Sequence, residues 1–239
     1  MTNKIIIFKK IKFYNYCFEK ILQKINKGGY LVAPAASALI NIETNKDYYN
    51  ALINSNIAIL DSGFLCILLR LFKNKEVTKL SGYLFLKKFL DLKFNKKTSF
   101  LLVNPTKEDS KQNLIFLNKR NIYNIISYVS PIYKKNNISD KKLLKLIVKT
   151  KPNYIIINLA GEIQESLALY LRDNISFKTS ILCTGAAIAF LTKRQAPINE
   201  FIDKYYLGWL FRVIYNPKKN FIRMFRSILL VKYFIFNKN

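Results

Sequence analysis

The sequence predicts an α/β fold: a mostly parallel sheet with helices on both faces, followed by a basic, helical C-terminal appendage. Three observations carry this reading. Short apolar runs alternate with longer segments of helical period, the βαβα order of a parallel sheet. The runs are almost continuously apolar, as strands covered on both faces are. The last forty residues then change character, from aliphatic to aromatic and basic.

The strand-like runs are Tyr30–Val32, Ile57–Leu60, Phe100–Val103, Ile122–Val129, Tyr154–Leu159 and Ser180–Cys183. Each is short, rich in β-branched or aromatic residues, and bounded by Gly, Pro, Asn or Asp. Between them lie helix-like stretches. Lys46–Asn54 follows the first run, and Leu84–Leu92 has apolar residues at helical spacing. Lys107–Asn118 follows Thr106, a capping residue with Asp109 three places on. Asp140–Lys149 is preceded by Ser139, and Glu165–Leu171 follows the fifth run. No internal repeat or Gly/Ser-rich linker interrupts the chain. Residues 1–199 are expected to form the α/β domain and residues 200–239 a membrane-docking appendage.

The composition supports a full core, with 51% hydrophobic and 14% aromatic residues in a chain of 239. Forty basic residues against 14 acidic ones give a formal charge of +26. Such a domain is attracted to polyanions: anionic lipid, phosphorylated substrate or nucleic acid. Many of the lysines stand beside asparagine and isoleucine, a bias that AT-rich coding produces on its own. The three cysteines, Cys17, Cys66 and Cys183, lie in apolar settings and form no CxxC, so buried thiols are expected rather than disulfides or a zinc site. Histidine is absent, which excludes Ser-His-Asp and Cys-His catalysis and histidine metal sites. Any general base is then a carboxylate, lysine, tyrosine or cysteine. No segment reaches about 18 uninterrupted apolar residues, so no spanning helix is expected. The run Ile5–Phe8 is too short for a signal peptide. The expected location is the cytoplasm, dissolved or lying on the membrane.

In open α/β sheets, sites form beyond the carboxyl ends of the strands. The second run delivers Asp61-Ser62-Gly63, the fifth Ala160-Gly161-Glu162-Ile163-Gln164-Glu165, and the sixth Thr184-Gly185-Ala186-Ala187. Three strand ends with small residues beside polar ones point to one converging pocket, although any single glycine could simply turn the chain. There is no GxGxxG and no GxxxxGK[ST], which argues against a Rossmann dinucleotide site or a P-loop. There is also no DxD after a strand, and no metal or cofactor is expected. Asp61 is the best-placed carboxylate for a general base; capping the following helix is its other possible role.

From Glu200 to Asn239 there are eight basic and two acidic residues, interleaved with aromatics such as Trp209, Phe211, Phe221 and Phe225. Phe221, Phe225, Ile228, Leu229 and Lys232 share a helical spacing, with Arg223 and Arg226 turned elsewhere. That pattern suits a helix lying in the membrane interface, or one packed on the domain. No nucleic-acid-binding motif accompanies it.

Taken in order, these segments resemble the WecG/TagA/CpsF family of bacterial glycosyltransferases, over about Tyr30 to Tyr233. The matching pieces are LVAPAASAL at 31–39, Asp61-Ser62-Gly63, Lys79-Leu80-Ser81-Gly82 and Ser130-Pro131. The strongest is YIIINL followed by Gly161-Glu162-Ile163-Gln164-Glu165, similar to Gly-x-Pro-x-Gln-Glu. ILCTGAAIAFLT at 181–192, Arg194-Gln195-Ala196-Pro197, LGWLFR at 207–212 and Asn216-Pro217 complete the series. The resemblance implies a Rossmann-like fold and an inverting transfer from a UDP-sugar to an undecaprenyl-diphosphate-linked sugar, with no obligatory metal. It implies Asp61 as catalytic base. It implies substrate contacts from Lys79, Ser81, Gly82, Gly161, Gln164, Glu165 and Gly185, and a diphosphate-binding and membrane-docking role for Arg212, Arg223 and Arg226. The implied partners are the UDP-sugar, the polyprenyl-linked acceptor and an anionic membrane surface on the inner face of the cell membrane. Nucleic acid is not among them, and homo-oligomerisation stays open. The sequence departs from the family at Ala33 and Ala35, where Thr and Asn are usual, at Ile163, which lacks the usual Pro-Lys, at Lys79 for arginine and at Lys193 for glycine. The first of these bears on the identity of the sugar. It also leaves open a non-catalytic relative that binds a membrane or a partner protein.

Overall fold

The computed structural model describes residues 4–195, 200–204, 206 and 208–235. Eight strands form one sheet: β1 (Ile5–Phe8), β2 (Ile11–Tyr14), β3 (Gly29–Val32), β4 (Ile57–Ala58), β5 (Phe100–Asn104), β6 (Ile125–Val129), β7 (Tyr154–Ile157) and β8 (Ser180–Cys183). Their order is β1-β2-β4-β3-β8-β7-β5-β6, and every adjacent pair is parallel except the β1–β2 hairpin. The helices of the main body are α1 (Phe18–Ile25), α2 (Ala36–Leu39), α3 (Lys46–Ile53), α4 (Gly63–Lys73), α5 (Gly82–Leu90), α6 (Lys107–Asn118), α7 (Lys141–Thr150), α8 (Ile163–Asn174) and α9 (Ala187–Leu191). The C-terminal segment adds α10 (Glu200–Lys204), α11 (Gly208–Tyr215), α12 (Pro217–Ile228), a 3-10 turn at Leu229–Val231, and α13 (Lys232–Ile235).

The apolar strands alternate between two cores. Tyr30, Val32, Ile155, Ile157, Ile181 and Cys183 face one layer, closed by α2, α3, α4, α7, α8 and the end of the C-terminal segment. Leu31, Ile156, Leu182, Phe100 and Leu102 face the other, closed by α1, α5, α6 and α9. Burial of both faces explains why the strands read as solid apolar runs. Capping sets the helix starts. The side chains of Asn45, Ser62, Ser81, Thr106 and Asp140 accept hydrogen bonds from the first-turn amides of α3, α4, α5, α6 and α7.

Four expectations need correction. Asp140 rather than Ser139 caps α7, because its carboxylate reaches the Leu143 amide at 2.8 Å. The fourth run, Ile122–Val129, pairs only from Ile125 onward, since Asn121 at φ 60° turns the chain just before it. The helix assigned to Leu84–Leu92 starts two residues earlier, at Gly82, under the Ser81 cap. Cys17 is exposed, while Cys66 and Cys183 are buried. The β1–β2 hairpin was not foreseen as structure. Its two-residue turn places Lys9 and Lys10 at φ 47° and 61°, a left-handed pair usually supplied by Asn-Gly.

The C-terminal segment returns across the first core layer. Leu230, Tyr233 and Phe234 are buried there, and the Phe234 ring stacks on Phe8 at 5.3 Å. Along α12, by contrast, Phe221, Ile222, Phe225 and Ile228 face outward. Among the described residues, no helix is long and apolar enough to cross a membrane.

Candidate functional site

The site lies where the parallel strands end. Val32, Cys183, Ile157 and Val103 stand in one row across β3, β8, β7 and β5. The next residues, Ala33, Thr184, Asn158 and Asn104, therefore form a second row on the opposite face, toward α5, α6 and α9. Gly82, the first residue of α5, packs against this row. A Cβ on it would lie 3.1 Å from both the Ala33 Cβ and the Thr184 carbonyl oxygen, which explains a glycine here. Asp61, half-buried beyond β4, accepts the Gly82 N–H on Oδ1 at 2.8 Å. Its carboxylate thus meets the positive end of α5. Ser62, not Asp61, caps α4. The carboxylate is thereby held at the crevice rather than at the end of its own helix.

On the other face, the loop after β7 leads into α8. Gln164 and Glu165 are 2% and 1% exposed. Glu165 accepts the Glu162 N–H on Oε2 at 2.7 Å and the Gln164 amide on Oε1 at 2.9 Å. Gln164 in turn accepts the Gly185 N–H at 2.9 Å. Gly185 has φ 62° and Glu162 φ 75°, so both loops hold left-handed residues, costly for the glutamate. Burial pushes Glu165 up to about 7, against the lowering effect of its hydrogen bonds. The polar groups of Gln164 and Glu165 are thus used to join the two glycine loops. A Cβ on Gly161 would meet only Ala38, at 3.7 Å, so the loop there admits close approach.

Lys79 and Ser81 are held by a residue the sequence reading did not select. The Lys79 ammonium donates to Asp203 Oδ1 at 2.7 Å and to its carbonyl at 2.6 Å, and Ser81 Oγ donates to Oδ2 at 2.8 Å. The Lys79 and Asp203 side chains are 10% and 11% exposed, so this ion pair secures α10 to the α5 N-terminus. Arg212 lies in α11, with its side chain outside the described residues. Arg223 is exposed, and Arg226 donates to Asn41 Oδ1 at 3.0 Å. The structure therefore gathers Asp61, Lys79, Ser81, Gly82, Gly161, Gln164, Glu165 and Gly185 along the carboxyl edge, and puts Arg226 on the bracket between α2 and α3.

Other polar residues of this edge were not selected as site residues from the sequence, although Glu162 and Thr184 stand in the strand-end segments. Asn104 Oδ1 accepts from Asn158 at 2.9 Å and Asn113 at 2.8 Å, and its amide donates to Ser127. Asn158 Oδ1 and Thr184 Oγ1 are buried without a hydrogen-bond partner among the described residues. Glu162 is gripped by Asn41 Nδ2 at 2.6 Å and Asn45 Nδ2 at 3.0 Å, with Lys135 at 3.5 Å. A polar residue directly after a buried strand was the available signal for Asn104, Asn158 and Thr184. Nothing local marks Asn41 or Asp203.

No individually curated protein matches the chain. A model of the glycosyl transferase WecG/TagA/CpsF family matches residues 6–239, taking in the sheet, the strand-end loops and the C-terminal segment. The chain accordingly belongs to the WecG/TagA/CpsF family, glycosyltransferases of cell-surface polysaccharide synthesis.

Proposed function

We propose that the protein transfers a sugar from a UDP-sugar to a polyprenyl-diphosphate-linked sugar, with inversion, at the inner face of the cell membrane. The observation that carries this reading is Asp61, a carboxylate held at the strand-end crevice by the Gly82 N–H in a chain without histidine. One Asp61 oxygen takes the proton of the acceptor hydroxyl as that oxygen attacks the anomeric carbon; the bond to the UDP oxygen breaks on the opposite face. The leaving diphosphate needs cationic or amide donors, and Arg212, Arg223 and Arg226 supply them from the C-terminal segment. Arg226 donates one hydrogen bond to Asn41 from a guanidinium that carries five donors. The oxygens of Asn158 and Thr184 that lack a partner among the described residues suit donor hydroxyls or amides, since a buried polar atom left alone costs about 1–3 kcal/mol. Gln164, Glu165 and the glycines at 161 and 185 shape the donor site, and residues 200–239 act as the docking appendage. Exposed apolar residues on α12 enter the headgroup boundary while its basic residues meet lipid phosphate.

A second reading, a non-catalytic relative that binds membrane or a partner, is favoured by the apolar Ala33 and Ala35 and by the use of Lys79 within the protein. Mass spectrometry of lipid-linked products, with a panel of UDP-sugars, decides between them. A new glycosylated lipid that forms with wild type and not with Asp61→Asn supports transfer. Absence of any product across the panel, with intact vesicle binding, favours the second reading.

A further inference from the structure

A continuous run of hydrogen bonds connects the outward-facing helix α12 to both glycine loops. Arg226 donates to Asn41 Oδ1 at 3.0 Å, and Asn41 Nδ2 donates to Glu162 Oε1 at 2.6 Å. The Glu162 N–H donates to Glu165 Oε2 at 2.7 Å, Gln164 bridges to Glu165 Oε1 at 2.9 Å, and the Gly185 N–H closes on Gln164 at 2.9 Å. The segment carrying Asn41 is also held from the C-terminal side, by Tyr233 Oη on the Ile40 carbonyl at 3.2 Å and by Lys232 on Glu43 at 3.6 Å.

The chemistry of Asn41 makes these contacts cooperative. Its amide has one accepting and one donating end. With the oxygen toward the Arg226 guanidinium, the NH2 faces the Glu162 carboxylate. Turned over, it would set a donor against a cation and an acceptor against an anion. The two ionic neighbours therefore select the same orientation, and loss of either weakens the hold on the other. Glu162 is the residue whose positive φ needs such a hold.

We propose that Asn41 is a positioning residue that couples the seating of α12 on the body to the arrangement of the loops at Gly161 and Gly185. This rests on the transferase reading for its effect on turnover, but not for its effect on the loops. A helix that meets lipid headgroups would then hold the crevice in its working shape only while Arg226 is engaged with Asn41.

The test uses the full-length protein and the variants Asn41→Ala, Arg226→Lys and the exposed control Lys218→Ala. Arg226→Lys keeps the charge that lipid phosphate attracts while losing the guanidinium geometry. Hydrogen exchange is read at the Glu162 and Gly185 amides, with the thermal midpoint alongside. Exchange at both amides should quicken by about tenfold in Asn41→Ala and Arg226→Lys at an unchanged midpoint, and stay as wild type in Lys218→Ala. The double variant should be no worse than either single one, as expected for members of one unit. With a water-soluble acceptor, kcat should fall more than the donor KM rises. Wild-type exchange at Glu162 and Gly185 in both variants, or additive effects in the double variant, overturns the coupling. Quickened exchange in a protein that makes no product with any donor leaves the coupling standing and removes the transferase reading instead.

Discussion

At the carboxyl edge of the sheet, polar side chains are turned inward and bonded to one another; along α12, apolar side chains are turned outward. Glu165 is sealed between two amide donors, whereas Ile222 is 63% exposed on a helix that also carries Arg223 and Arg226. A buried polar network holds backbone geometry to a narrow range, because each broken bond leaves an unsatisfied group. An exposed apolar face flanked by cations contributes nothing to the fold where it stands, and suits a surface that is apolar below and anionic above. The first region is built to position, the second to meet something. The residues just beyond α12 belong to the first kind, since Leu230, Tyr233 and Phe234 are core.

That contrast can be broken at several points. Leu230→Ala should cost about 2–5 kcal/mol of stability, measured by denaturant unfolding, because it opens a cavity where the segment is anchored. A cost under about 0.5 kcal/mol would mean that the segment is not part of the cooperative unit. Asp61→Asn should lower turnover by about 10²-fold or more, with an unchanged melting profile; near-normal turnover would remove the general-base role. The Glu165→Gln variant tests the network by pH. Burial raises Glu165 from 4.5 to about 7, so the folded protein keeps a proton there that the unfolded chain has already lost. This contribution is full below about 4.5 and is lost as the pH rises through about 7. Stability of the wild type should therefore decline across that window relative to Glu165→Gln; parallel curves would show that the carboxyl titrates normally. Lys218→Ala should weaken binding to anionic vesicles by about fivefold at low salt, one cation being worth roughly 1 kcal/mol, and the difference should shrink as salt is added. The smallest effect is on stability in Phe225→Ala: within about 0.5 kcal/mol of wild type, with weaker flotation on vesicles. A large loss of stability there would place α12 with the core instead.

Much of the fold was legible because its signals are local. The run Ser180–Cys183 and the helix Lys107–Asn118 have the boundaries expected of them, the latter set by Thr106 accepting the Asp109 N–H. The hairpin was hidden because lysines occupy its left-handed turn. Helix α4 was hidden because GFLCILLRLF is apolar almost all round, which masks a helical period. In the site, Asp61 and Gly185 could be found from their places beside strand ends, and Gly82 only from the family resemblance. The roles of Lys79 and Gln164 could not, since both depend on contacts from elsewhere in the chain.

The sequence by itself determined the α/β class, the strand-end loops and the two-sided character of α12. Periodicity, capping and turn chemistry act over a few residues and are written in order along the chain. Only the tertiary structure decided that Lys79 and Ser81 meet Asp203, more than 120 residues away, that Glu165 is sealed rather than open, and that Asn41 stands between Arg226 and Glu162. Which partner a polar side chain finds depends on where distant segments are brought together by burial of the two core layers, and that packing has no local signature.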